Sequence, residues 1–156
     1  MMNLCCDIVK TLNGKTLATA ESCTGGAIGA AITSAPGSSS VYRGGVVSYC
    51  NDIKNQMLGV SLEILEEYGA VSAPVAEAMA VGAKKALGAN IAVSVTGLAG
   101  PGGDERGNPV GLVYIGYADE QQVTHQKCFF EGGRDSVREQ AVKAALMLVY
   151  ENAQSI

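Results

Sequence analysis

The 156-residue chain has a single histidine, His125, no Cys-x-x-Cys pair and no cluster of lysine or arginine. Each absence removes a class of function. Phosphate backbones are held by basic surfaces, so a formal net charge of -4 without interleaved aromatics argues against a nucleic-acid binder. Cys5, Cys6, Cys23, Cys50 and Cys128 are odd in number and lack framework spacing, and only His125 lies near any of them. Neither a disulfide scaffold nor a metal centre is expected, and free thiols suit a reducing cytoplasm. No apolar run approaches the roughly 18 residues that cross a bilayer, so no membrane partner is expected. Met1 to Lys10 carries Asp7 within its apolar stretch and has neither the basic leader nor the small-residue cleavage site of an export signal.

What is present describes one α/β domain over residues 1–156, with 47% apolar residues, 17% charged residues and 20 glycines for tight turns. Leu4, Ile8, Val9 and Leu12 recur at helical spacing before Asn13-Gly14, and a strand follows near Thr16 to Ala20. A small-residue helix is expected over 25–32, ended by Ala35-Pro36-Gly37. Val41 to Tyr49 reads as a strand, and Asn51 or Asp52 is expected to cap a short helix carrying Lys54. Ser61 and Ser72-Ala73-Pro74 open two further helices, the longer with a stripe of Val75, Met79, Gly82 and Ala86. A strand through Ile91, Val93 and Val95 runs into a Gly/Pro-rich loop from Gly97 to Pro109. Strands 110–118 and 123–130, joined by a short turn, are expected to pair antiparallel. A last helix from about Asp135 shows Val137, Ala141, Ala144 and Leu148 on one face. The order predicts a three-layer α/β architecture with a mixed sheet covered by helices. Small-residue helix faces point to a homodimer or larger homo-oligomer.

Chemistry concentrates where the first strand ends. Glu21-Ser22-Cys23-Thr24-Gly25-Gly26 puts Ser22 on a strand-to-helix turn, with the amides of Thr24, Gly25 and Gly26 expected to face forward as an oxyanion or phosphate cradle. A serine nucleophile needs a base. His125 falls inside a strand with no acidic partner at motif spacing, which argues against a Ser-His-Asp triad. A lysine that loses its proton through burial is the alternative, and Lys54 lies just past a strand expected to neighbour the first. Tyr49, at the end of that strand, could donate a proton to a leaving group. Cys23 is a rival nucleophile, but adjacent residues leaving a turn point apart, so at most one is expected to face the site.

The turn is also similar to a dinucleotide-binding glycine turn, and Tyr49 with Lys54 to the Tyr and Lys of short-chain dehydrogenases. Ala31 stands where the last glycine is needed, the Tyr–Lys spacing is one too long, and no acidic residue ends the next strand to hold a ribose.

Four ordered motifs together carry a resemblance over nearly the whole chain: Ala20-Glu21-Ser22-Cys23-Thr24-Gly25-Gly26, Gly44-Gly45-Val46-Val47-Ser48-Tyr49 with Asn51 and Lys54, Gly69-Ala70-Val71-Ser72, and Thr96-Gly97-Leu98-Ala99-Gly100-Pro101. They resemble the CinA C-terminal domain family, in its stand-alone form. The resemblance implies a cytoplasmic amidase that deamidates nicotinamide mononucleotide to nicotinic acid mononucleotide and ammonia, with Ser22, Lys54 and Tyr49 as the catalytic group and no metal or cofactor. For the substrate phosphate, the loop containing Thr96, Gly97 and Gly100 offers a backbone nest, and Arg43, Arg134 or Arg138 a cation. Asn108 stands where many relatives carry lysine. The competing reading is a non-catalytic module that binds a nucleotide through the same glycine loops.

Overall fold

Every residue of the strand Leu17–Glu21 is buried, which a strand achieves only in the interior of a sheet covered on both faces. The computed structural model, which describes residues 1–156, shows this strand as β1, preceded by α1 (Met2–Leu12). Along the chain follow α2 (Ala27–Thr33), a short 3₁₀ turn (Ser38–Ser40), β2 (Tyr42–Val47), α3 (Asn51–Leu58), α4 (Leu62–Tyr68), α5 (Ala73–Ala86), β3 (Ile91–Gly97), β4 (Leu112–Ala118), β5 (Val123–Phe129) and α6 (Arg134–Ala153). The sheet order is β2-β1-β3-β4-β5. β1 pairs parallel with both β2 and β3, whereas β4 and β5 join antiparallel as a hairpin. The fold is thus a single α/β domain with a mixed five-stranded sheet and six helices, the architecture expected from the order of elements. No helix is long and apolar enough to cross a membrane.

The two faces of the sheet are packed differently, and alternation along the strands is the cause. Leu17, Ile91, Val93 and Val95 point to one side and meet α1, α2 and α6 in the larger core, which includes Ile8, Ile28, Val137 and Leu146. Ala18, Ala20 and Ala92 point to the other and meet Val75, Met79 and Ala83 of α5 and Leu58 of α3. Small side chains on that second face let α5 lie close to the strands. At Gly116 there is no room for a Cβ, which would strike the Ala76 carbonyl and the Ser94 hydroxyl.

Several expected boundaries shift for local reasons. α2 begins at Ala27 rather than residue 25, because Gly25 and Gly26 take left-handed φ values of 61° and 104° and belong to the turn. α3 starts from Cys50 with no side-chain cap, so neither Asn51 nor Asp52 caps it as expected. Ser61 and Ser72 do cap α4 and α5, accepting from the amides of Ile64 and Val75. Ala86 is exposed and Ala83 is buried in its place within the α5 stripe. β4 begins at Leu112 because Gly111, at φ 93°, turns the chain against the Phe130 carbonyl.

Candidate functional site

Parallel pairing sends the C-terminal ends of β1, β2 and β3 to the same edge of the sheet, since Glu21 pairs with both Val47 and Val95. In open α/β sheets that edge is where ligands bind. A cleft of about 540 Å³ opens there, bordered by Ser22, Cys23, Tyr49, Asn51, Lys54, Thr96, Gly97, Gly100, Arg106 and Arg134 among others.

Ser22 follows β1 directly and is buried, its amide held by the Val95 carbonyl at 3.0 Å. Lys54, on the first turn of α3, reaches the same point from β2's side. Its Nζ donates to Ser22 Oγ at 3.0 Å and to the Ser48 carbonyl at 2.8 Å. Lys54 is 1% exposed, and no carboxylate lies within ion-pair distance of its amine. A buried ammonium with no counter-ion is disfavoured, and burial accordingly pulls the Lys54 amine below the usual lysine range. An amine whose charged form is disfavoured, within hydrogen-bond reach of a buried hydroxyl, is the arrangement a serine nucleophile requires.

Tyr49 is exposed at the cleft wall, and its hydroxyl accepts from Arg134 Nη2 at 3.3 Å. Arg134 also donates through Nη1 to the Gly100 carbonyl at 2.6 Å, tying the start of α6 to the glycine-rich loop after β3. Thr96 is buried and its hydroxyl donates to the Ala70 carbonyl at 2.7 Å, so its side chain is spent on the cleft wall.

Cys23 borders the cleft beside Ser22 but is buried in the larger hydrophobic core. The Cys23 thiol is pushed up to about 11, chiefly by burial, and stays protonated near neutrality.

Other expected positions are corrected. The amides of Gly25 and Gly26 are not free: the first donates to the Ser22 carbonyl and the second to Glu21 Oε1, each at 3.1 Å. The Thr24 hydroxyl is also used internally, donating to Glu21 Oε1 at 2.6 Å. The Cys23 and Thr24 amides, next to the Ser22 hydroxyl in the chain, have no protein acceptor. Arg43 sits near the opposite end of β2 from the cleft, its Nε donating to the Leu87 carbonyl, and cannot serve this site. Arg138 grips the outside of the turn, donating from Nε to the Cys23 carbonyl at 3.0 Å and from Nη2 to the Thr24 carbonyl at 3.4 Å. It orders the turn rather than lining the cleft. His125 is exposed on β5 and does not border the cleft, as expected from its place inside a strand.

Two residues of the site carry no signal in the sequence. Arg106 lines the cleft from the 98–111 loop and donates to the Glu66 and Glu67 carbonyls at the end of α4, passing over Gly69. Its position in a Gly/Pro-rich stretch gives no periodicity to follow. Glu21 sits inside the leading motif, yet nothing in its spacing shows that its carboxylate turns inward.

An open α/β sheet with a buried serine–lysine pair at the ends of its parallel strands defines the class of the molecule. A family model of the CinA C-terminal domain matches residues 3–153, and the chain belongs to that family. A CinA-like protein of Parasynechococcus marenigrum is 47% identical over 136 residues, 86% of this chain and 32% of its own length. Another from Citrifermentans bemidjiense is 50% identical over 126 residues, 81% of this chain and 30% of its own length. The chain therefore spans about a third of the curated relatives it matches. Among solved structures, a competence-damaged protein (CinA) superfamily protein from Klebsiella pneumoniae superposes with a TM-score of 0.96 at 33% identity, covering 99% of this chain and 98% of that one. The competence/damage inducible protein CihA from Agrobacterium tumefaciens gives a TM-score of 0.91 at 43% identity, covering 97% and 94%.

Proposed function

We propose that the chain is an amidase that hydrolyses the carboxamide of nicotinamide mononucleotide, releasing ammonia and nicotinic acid mononucleotide. The observation that carries this reading is the 3.0 Å contact between Lys54 Nζ and Ser22 Oγ, both buried, with no carboxylate within ion-pair distance of the amine. A structural lysine at such a place would have a counter-ion or reach solvent.

With the amine neutral, the same contact runs in reverse: the Ser22 hydroxyl offers its proton to the Nζ lone pair. Oγ then attacks the carboxamide carbon, and the Cys23 and Thr24 amides, free of protein acceptors, stabilise the oxyanion. The carbon–nitrogen bond breaks as the nitrogen takes a proton, from Lys54 directly or by way of the Tyr49 hydroxyl, and leaves as ammonia. Water attacks the resulting Ser22 ester, Lys54 accepts its proton, and release of the acid restores the hydroxyl. Arg134, with Arg106 on the loop, supplies positive charge in the cleft wall for the substrate's phosphate.

Ammonia release separates this reading from a module that only binds. Purified protein mixed with nicotinamide mononucleotide is expected to produce ammonia and the acid in equal amounts over many turnovers. Calorimetric binding of the nucleotide without ammonia would establish the binding module instead.

A further inference from the structure

We propose that Glu21 is a positioning residue whose carboxylate locks the turn presenting Ser22 to Lys54, without touching the substrate. The inference rests on the reading of Ser22 as nucleophile. Glu21 is 2% exposed and has no cation within ion-pair distance. Such a carboxylate is costly unless donors surround it, and four do. Oε1 accepts from the Thr24 hydroxyl at 2.6 Å and from the amides of Gly26 and Ile28 at 3.1 and 3.0 Å, while Oε2 accepts from the Gly29 amide at 3.1 Å. One side chain at the end of β1 therefore holds both the turn and the first residues of α2.

The backbone of Glu21 faces the other partner. Its carbonyl accepts from the Ser48 amide at 2.7 Å and the Ser48 hydroxyl at 3.3 Å, and the Ser48 carbonyl in turn accepts from Lys54 Nζ. Both members of the reacting pair thus hang on Glu21: Ser22 as its covalent neighbour, Lys54 through Ser48. Proton transfer depends on placement to well under 1 Å, so a residue fixing both sides governs rate more than binding. Three amides at the start of α2 are thereby occupied by the protein's own carboxylate and not by a ligand.

Glu21→Gln keeps the size of the side chain but sets an NH₂ group against at least one donor that now faces an oxygen, so the turn must shift. The test is the rate at which a fluorophosphonate probe labels Ser22, followed by peptide mass spectrometry, beside kcat and KM for ammonia release and a thermal melt. Folded Glu21→Gln is expected to label at least tenfold more slowly than wild type, with kcat falling alongside and KM staying within threefold. Labelling less than threefold slower in a folded variant, with only the melting temperature lowered, overturns the inference. Should Glu21→Gln fail to fold, Thr24→Val, which removes the shortest of the four bonds, decides by the same threshold of threefold slower labelling. Wild type that is not labelled at Ser22 refutes the inference too. Wild type that labels but releases no ammonia from nicotinamide mononucleotide refutes the substrate while the labelling ratio still judges Glu21.

Discussion

At the scale of single residues, the proposed catalysis turns on the protonation of Lys54. Its ammonium form is disfavoured by burial, and the neutral form is the proposed base. As pH falls the amine protonates and catalysis is lost, so kcat/KM should rise with pH along an acid limb whose midpoint lies below the ordinary lysine range. A rate profile in wild type measures this, and a limb at the ordinary lysine value would contradict the burial argument. Cys23→Ala should retain activity within about threefold, since a thiol held near 11 contributes little thiolate at neutral pH. Loss of activity in that variant, assayed by ammonia release, would return the nucleophile to the thiol. Ser22, Lys54 and Tyr49 are legible in the sequence because each stands at or just beyond a strand end, and strand adjacency brings such ends together. The donors around them are not legible. An amide's freedom depends on whether a side chain turns back to meet it, and Glu21 meets Gly26, Ile28 and Gly29 by a rotamer that spacing does not encode.

Elements set the distance between the reacting groups. α3 carries Lys54, and α3 rests on α5 where Gly82 meets the Leu58 backbone so closely that a Cβ would overlap the Leu58 carbonyl oxygen. Backbone on both sides leaves little to yield. Gly82→Ala should cost at least about 2 kcal/mol in a denaturant melt, despite the better helix propensity of alanine. Displacing α3 should also lower ammonia release in the fraction that folds, and a variant equal to wild type in both would show that the contact is slack. Periodicity locates the helices because most carry a clear apolar stripe, and the serine caps at positions 61 and 72 fix two starts. It misplaces the start of α2, where glycines in left-handed conformations sit next to a sequence that otherwise reads as helix. Sequence offers Arg43 and Arg138 to the phosphate along with Arg134, because a cation's use depends on which end of a strand or face of a helix it occupies. Arg43 is the second residue of β2 while the cleft lies beyond that strand's close, and Arg138 spends its guanidinium on the Cys23 and Thr24 carbonyls.

At the scale of the whole molecule, two unlike faces of one sheet serve one edge. The larger core under α1, α2 and α6 packs against β1 and β3, and the alanine-lined face brings α5, and with it α3, close enough for a lysine to cross to the end of β1. The mixed topology follows from this arrangement: three parallel strands open the cleft, and the β4–β5 hairpin extends the sheet without adding to it. Every part of the proposed reaction passes through the single contact between positions 22 and 54. Its most direct test is the rate of ammonia release from nicotinamide mononucleotide by wild type, Ser22→Ala and Lys54→Met, assayed side by side on folded protein. The predicted result is turnover in wild type, none detectable in Ser22→Ala, and a loss on the order of a hundredfold or more in Lys54→Met. Ordinary turnover by Ser22→Ala, or a loss below about tenfold in Lys54→Met, would contradict it.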